Sequence, residues 1–331
     1  MYSWQKSQLQ QIMHRQSLPH ALLLRGRAGI GKHEFAIELS QTLLCAAPKV
    51  DKTACGTCQN CVWFAEEGHP DFKLISPEDA ETSDEAPKKK TAKKSQISVA
   101  QIRQLIDYLS LSSHQVSGRR VIVISPAETL NLASANALLK MLEEPPTNTI
   151  FLLVTSQPQR LLATIISRCQ AIDMPLPTKA ESLHWLQQQS ISNAEQALNL
   201  AGGAPLFALQ IAEEGDVIAT LTKHLSQGAQ LDAFACAPLL AGLGMGRGID
   251  TLQKWVFDLA ACKLAQHLHY HLSHSNALQT LCKSVNLSLL LRFQQQLLNA
   301  KKLVNHPLNN ELQLENILLR YTKLFKPVKL R

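Results

Sequence analysis

Apolar residues fall into two rhythms along this chain, and the change of rhythm divides it. In the first half, short apolar runs alternate with stretches whose apolar positions recur at helical spacing. The runs Ala21–Arg25, Phe72–Ile75, Arg120–Ile124, Ile150–Thr155 and Ala171–Met174 predict strands. Between them, Glu34–Leu44, Val99–Leu109 and Ser134–Leu142 predict helices, the second with Ile102, Leu105, Ile106 and Leu109 on one face. The third runs into a Glu-Glu-Pro-Pro stop. Alternation of this kind predicts a parallel sheet flanked by helices. From about Pro175 the strand signals cease. Lys179–Gln189 and Asn193–Leu200 read as short helices, the Gly202-Gly203 pair as a turn, and Leu287–Leu303 and Glu311–Leu324 as amphipathic helices.

Three parts follow from this pattern: an α/β domain over residues 1–174, a small helical domain over 175–214 and a helical domain over 215–331. Within the first, Pro77–Lys94 carries five acids and then five lysines with no large apolar residue. It predicts a solvated, disordered insertion, with a DNA-binding arm as the rival reading of its lysines. A chain of 331 residues with 45% apolar content supplies cores for several domains. No apolar run reaches the roughly 18 residues of a membrane span. The polar start Met1–Lys6 has no signal-peptide core. A net charge of +7 is compatible with nucleic-acid or acidic partners and establishes neither.

Chemistry first enters at Leu22–His33. An apolar strand leads into Gly26-Arg27-Ala28-Gly29-Ile30-Gly31-Lys32 and then into a helix beginning near His33. Such a turn cradles phosphates with inward backbone N–H groups at a helix N-terminus, and its lysine reaches the outer phosphates. The hydroxyl residue that holds Mg²⁺ should follow the lysine, and His33 stands there. The strand Val121–Ile124 ends in Ser125-Pro126, where an ATPase carries Asp for Mg²⁺ and Glu for the attacking water. Gly26, Gly31 and Lys32 thus form a degenerate phosphate loop, and no productive ATP binding is expected.

Cys45, Cys55, Cys58 and Cys61 give C-x9-C-x2-C-x2-C, a spacing that fits a closed tetrahedral zinc site holding a small module over about residues 45–61. An iron–sulfur cluster and a disulfide knot are the rivals, the second disfavoured in a cytosolic-looking chain. Cys236, Cys262 and Cys282 stand singly and are expected to be buried, inert thiols. His267, His271 and His274 fall at i, i+4 and i+7, and the first two match a metal pair on a helix. With no acid or cysteine at a matching spacing, a solvated or partner-facing polar face is expected instead.

Several further motifs occur in a fixed order. They are His20-Ala21-Leu22-Leu23-Leu24 before the phosphate loop, the four cysteines after the first helix, His69-Pro70-Asp71, Asn136–Pro146 (Asn-Ala-Leu-Leu-Lys-Met-Leu-Glu-Glu-Pro-Pro) and Ser167-Arg168-Cys169. Over about residues 15–210 the chain resembles the AAA+ clamp-loader subunits of bacterial replication, and among them the non-hydrolysing one. Beyond that the likeness is diffuse, although Asn310–Leu319 is similar to the last helix of the family's collar.

The resemblance implies an AAA+ RecA-like α/β domain with an inserted zinc module, then a helical lid and an all-helical collar. It implies a cytoplasmic accessory subunit of a DNA polymerase holoenzyme. Its implied partners are ATPase subunits, a clamp-opening delta subunit and, through the complex, the sliding clamp and primed DNA. In the hydrolysing subunits a lid arginine touches the γ-phosphate; here Pro205 or Leu206 takes that place. Arg168 is implied to act in trans, reaching across the ring to a neighbour's ATP. An active ATPase motor and a zinc-dependent DNA-binding protein are the rival readings.

Overall fold

In the computed structural model, residues 2–77, 96–110, 118–302 and 309–325 are described. The expected insertion lies almost wholly outside them, since only Pro77 of Pro77–Lys94 is included. The chain separates into two compact units, Met1–Pro177 and Thr178–Arg331.

The first unit is built on five parallel strands: β1 (Ala21–Arg25), β2 (Phe72–Ile75), β3 (Arg120–Ile124), β4 (Thr149–Thr155) and β5 (Gln170–Asp173). Their spatial order is β2-β3-β4-β1-β5. Each strand expected from the apolar runs is present, within one residue at either end. Successive side chains of a strand point to opposite faces, and this sorts the core into two layers. Leu22, Leu24, Val121, Val123, Leu152 and Val154 pack with Phe35 and Leu39 of the Lys32–Leu44 helix. Leu23, Ile122, Ile124, Phe151 and Leu153 pack on the other face with Ile102, Leu105 and Leu138. Both faces are covered over the three inner strands, so β1, β3 and β4 are nearly continuous apolar runs, while the edge strands β2 and β5 are largely exposed.

The Val99–Ser110 helix buries Ile102, Leu105 and Leu109. Ile106, expected on the same face, is instead 40% exposed. Its 100° offset from Leu105 carries it past the edge of the buried stripe. The Leu132–Glu143 helix starts where the Asn131 side chain accepts a hydrogen bond from the Ser134 N–H. It ends before Pro145-Pro146, which cannot continue it.

The second unit is helical and holds two separate apolar clusters. One joins Leu186, Ala194, Ala197, Leu198 and Ala208. The other is larger and centres on Trp255, Leu252, Leu259, Leu318 and Tyr321. Inside it the Trp255 Nε1–H donates to Tyr321 Oη at 2.8 Å, and that hydroxyl donates to the Leu225 carbonyl at 2.8 Å. Two large polar aromatics are buried there with their polar tips satisfied.

The histidine reading is corrected here. The Met245–Ala265 helix stops at Gln266, in the left-handed conformation, so His267, His271 and His274 share no helical face. His271 is buried, not solvated: its Nδ1 lies 2.9 Å from Asp258 Oδ2 and its ring meets Trp255 edge-on. The Asp258 carboxylate also accepts from the backbone N–H groups of His269, Tyr270 and His271. A second correction concerns Cys282, which is only half buried and whose Sγ lies 3.2 Å from Cys262 Sγ. Both corrections have one origin: long-range packing brings together residues whose spacing in sequence carries no signal.

Candidate functional site: a degenerate phosphate loop, a four-cysteine module and an exposed arginine

The phosphate loop leaves β1 and turns into the Lys32–Leu44 helix through Gly31, which has φ of +85° and caps the helix. Glycine holds this conformation without the Cβ penalty of other residues. The N-terminal residues lie against the same loop. Any Cβ on Gly31 would stand 2.4 Å from the ring of Tyr2, which stacks on Trp4 with centroids 4.7 Å apart. Trp4 Nε1–H donates to the Ile30 carbonyl at 3.1 Å, and Gln5 Nε2 donates to the carbonyls of Ile30 and Gly31 at 3.0 and 2.6 Å.

Lys32 is buried, and its ammonium turns inward to the Arg27 carbonyl at 2.6 Å and Ser156 Oγ at 3.0 Å. Burial pushes its pKa down to about 8, against the opposing pull of the Glu128 and Glu34 carboxylates. His33 Nδ1 lies 3.1 Å from Ser125 Oγ. The two positions where an ATPase keeps a metal-holding hydroxyl and an acid are thus bonded to each other here.

Sequence reasoning missed Glu128, Ser156 and the Tyr2–Gln5 cover. Glu128 Oε1 accepts from the Ser156 N–H at 3.1 Å, which links an acid to the lysine of the loop through Ser156. No motif spacing marks Glu128, which follows Ser125 by a 3₁₀ turn at Ala127–Thr129.

The four cysteines converge as expected. Their Sγ atoms all lie within 4.8 Å of one another, with Cys45–Cys58 and Cys55–Cys61 each at 3.9 Å. A tetrahedron with metal–sulfur bonds of about 2.3 Å has edges of about 3.8 Å, so the set fits Zn²⁺. Backbone N–H groups of Thr57 and Cys58 donate to Cys55 Sγ at 3.4 and 3.2 Å and bring its thiol down to about 6. Burial pushes Cys61 up to about 12. A cation at the centre removes this inequality by favouring every thiolate. Asn60 Nδ2 donates to the Leu44 carbonyl at 2.8 Å and pins the module to the preceding helix. The cluster is therefore compatible with a structural zinc site.

Arg168 closes the Ala163–Arg168 helix directly before β5, the edge strand of the sheet. Its side chain is 34% exposed, and Nη2 lies 2.5 Å from Glu143 Oε1. Nη1–H donates to the Thr164 carbonyl at 3.0 Å. Among the described residues, Arg168 makes no hydrogen bond or ion pair to this chain's own phosphate loop. No described helix is long and apolar enough to cross a membrane.

The family model described as DNA polymerase III, delta subunit, matches residues 3–178. The DNA polymerase III subunit delta′ of Pseudomonas aeruginosa is 33% identical, with 99% of each chain covered. The Escherichia coli protein of the same name is 33% identical over 58% of this chain and 54% of its own length. Among solved structures, a Thermotoga maritima protein related to the DNA polymerase III gamma subunit superposes with a TM-score of 0.49 at 18% identity, covering 97% of this chain and 99% of that one. The parallel sheet of order β2-β3-β4-β1-β5, with helices on both faces, is a three-layer α/β architecture. With its phosphate loop, four-cysteine module and Ser-Arg-Cys turn in one α/β unit, matched from end to end by a curated relative, the chain belongs to the delta-prime family of DNA polymerase III subunits.

Proposed function

We propose that this chain is a non-hydrolysing subunit of the replicative clamp loader, which supplies Arg168 to the ATP site of a neighbouring subunit. One observation carries the proposal. Arg168 presents a partly exposed guanidinium at the sheet edge, while the chain's own phosphate loop has lost its metal-holding groups. A guanidinium at a transferring phosphoryl group neutralises developing charge and is worth orders of magnitude in rate. Without a positioned metal and base, this chain's own site stabilises no such charge.

On this reading a lid spans residues 175–214 and a collar spans 215–331. Leu291 and Leu298, and Leu312 and Leu319, are exposed at i, i+7 on the Leu287–Lys302 and Asn310–Thr322 helices. These apolar stripes suit burial against other collar subunits. The ion of the four-cysteine module is zinc in this reading, with a structural role. The partners are the ATPase subunits and the clamp-opening delta subunit, and through them the sliding clamp and primed DNA in the cytoplasm.

The isolated chain is expected to show no ATP turnover above background with Mg²⁺ and primed DNA. Lys32→Ala leaves that result unchanged. A turnover that Lys32→Ala abolishes would restore the motor reading, with Glu128 as its acid.

Arg168→Ala is expected to fold and assemble, yet to lower the ATPase and clamp-loading rates of the complete complex. One site among several loses its transition-state stabilisation, so the total rate falls partially. Arg168→Lys keeps the charge without the planar fork and rescues poorly. An alanine variant that assembles and loads clamps at the wild-type rate refutes the trans role.

A further inference from the structure

We infer that Glu143 is the positioning residue for Arg168, an inference that rests on the trans role proposed above. Glu143 is the last residue of the Leu132–Glu143 helix. Acids are disfavoured at that end, where the macrodipole is negative. Lys140 lies one turn earlier on the same helix, yet the carboxylate pairs with Arg168, from a different helix, at 2.5 Å.

The guanidinium is therefore held at two points by two elements. Glu143 takes Nη2, and the Thr164 carbonyl takes Nη1 at 3.0 Å. Two anchors on a planar group fix its plane as well as its position. None of the described residues accepts from Nε, and the side chain remains 34% exposed. One edge of the fork is thus fixed and another is left for an incoming phosphate oxygen. A flexible arginine would have to freeze its rotamers at the moment of reaction. One already aimed retains more of its electrostatic benefit. The pair is half exposed and contributes little to folding, so its removal separates aiming from stability.

The test uses the complete complex reconstituted with ATPase and delta subunits, measuring kcat and KM for ATP. The variants are Glu143→Ala, Glu143→Gln, Arg168→Ala and the Glu143→Ala/Arg168→Ala double. Glu143→Ala is expected to lower kcat at the affected site by about two- to five-fold, with KM for ATP unchanged. Glu143→Gln, which keeps an acceptor, restores part of the loss. The double variant is no slower than Arg168→Ala alone, because Glu143 acts only through Arg168. Thermal unfolding of each isolated variant stays at the wild-type temperature.

An unchanged rate in Glu143→Ala, with Arg168→Ala slow, overturns the positioning role and leaves the trans role standing. A faster rate in Glu143→Ala overturns it too, since Glu143 would then restrain the arginine. If Arg168→Ala itself has no effect, the trans role fails and the inference fails with it.

Discussion

Cys58→Ser is expected to abolish stoichiometric metal binding and to unfold residues 45–61 locally, with the parallel sheet intact. The four sulfurs lie within 4.8 Å of one another, and none of residues 45–61 belongs to the two apolar layers. An ion bound there would supply order that apolar packing does not. In small zinc modules the binding energy is on the order of 10 kcal/mol and is folding energy. Three thiolates with one hydroxyl bind far more weakly, because serine is not deprotonated at neutral pH. Elemental analysis should find one zinc per wild-type chain and none in the variant. Hydrogen exchange should speed up between Cys45 and Cys61 and remain slow in β1, β3 and β4. Iron with a visible absorption band in the wild type would replace zinc by a cluster. Cooperative loss of the whole α/β unit would show that the module is part of its core.

Asp258→Ala should be the most destabilising single change in the helical unit. The buried carboxylate accepts from three consecutive backbone N–H groups, of His269, Tyr270 and His271, and from His271 Nδ1. Alanine leaves the two His271 donors buried and unpaired and those of His269 and Tyr270 half-buried, at a cost of about 3–5 kcal/mol. For a unit of this size that lowers the melting temperature by roughly 10 °C. Asp258→Asn keeps one acceptor oxygen and should fall between.

A pH dependence accompanies this prediction. Burial alone would raise the Asp258 pKa, but the hydrogen bonds from His271, His269 and Tyr270 outweigh it and hold the carboxyl below its ordinary value. A depressed carboxyl contributes stability that is fully present above the unfolded pKa and is lost as pH falls through the folded one. The wild-type advantage over Asp258→Ala should therefore persist from neutral pH down to the ordinary aspartate range and shrink below it. Thermal melts of both proteins across that range check the sign. A gap that widened in acid would exclude the hydrogen-bonded carboxylate as its cause.

The parts of this protein that were legible in its sequence are those whose cause is local. The strands β1, β3 and β4 are apolar runs because helices cover both faces of the sheet, and such runs stand out against the helical periods between them. The phosphate loop was readable because Gly26, Gly31 and Lys32 stand at a fixed spacing, with Gly31 in the left-handed region that favours glycine. The cysteine module was readable because x2 spacings bring the sulfurs together within a few residues. The Glu-Glu-Pro-Pro stop ended its helix where proline forbids continuation.

What failed was the extrapolation of local patterns beyond their element. His267, His271 and His274 matched a helical face only if the helix continued, and Gln266 ends it. The burial of His271 depends on Asp258, on the preceding helix, and on Trp255. Glu128 reaches the lysine of the phosphate loop only because β3 and β4 are neighbours, so that the turn after one meets Ser156 after the other. Tyr2 and Gln5 cover Gly31, and Trp4 bonds Ile30, from the segment that precedes β1. By itself the sequence determined the fold class, the loop, the four-cysteine cluster and the candidate arginine, because periodicity, chain conformation and cysteine spacing act between near neighbours. The tertiary structure alone decided which acid stands near Lys32, which carboxylate holds Arg168 and which histidine is buried. Those pairings join residues far apart in the chain, and packing of whole elements sets their distances.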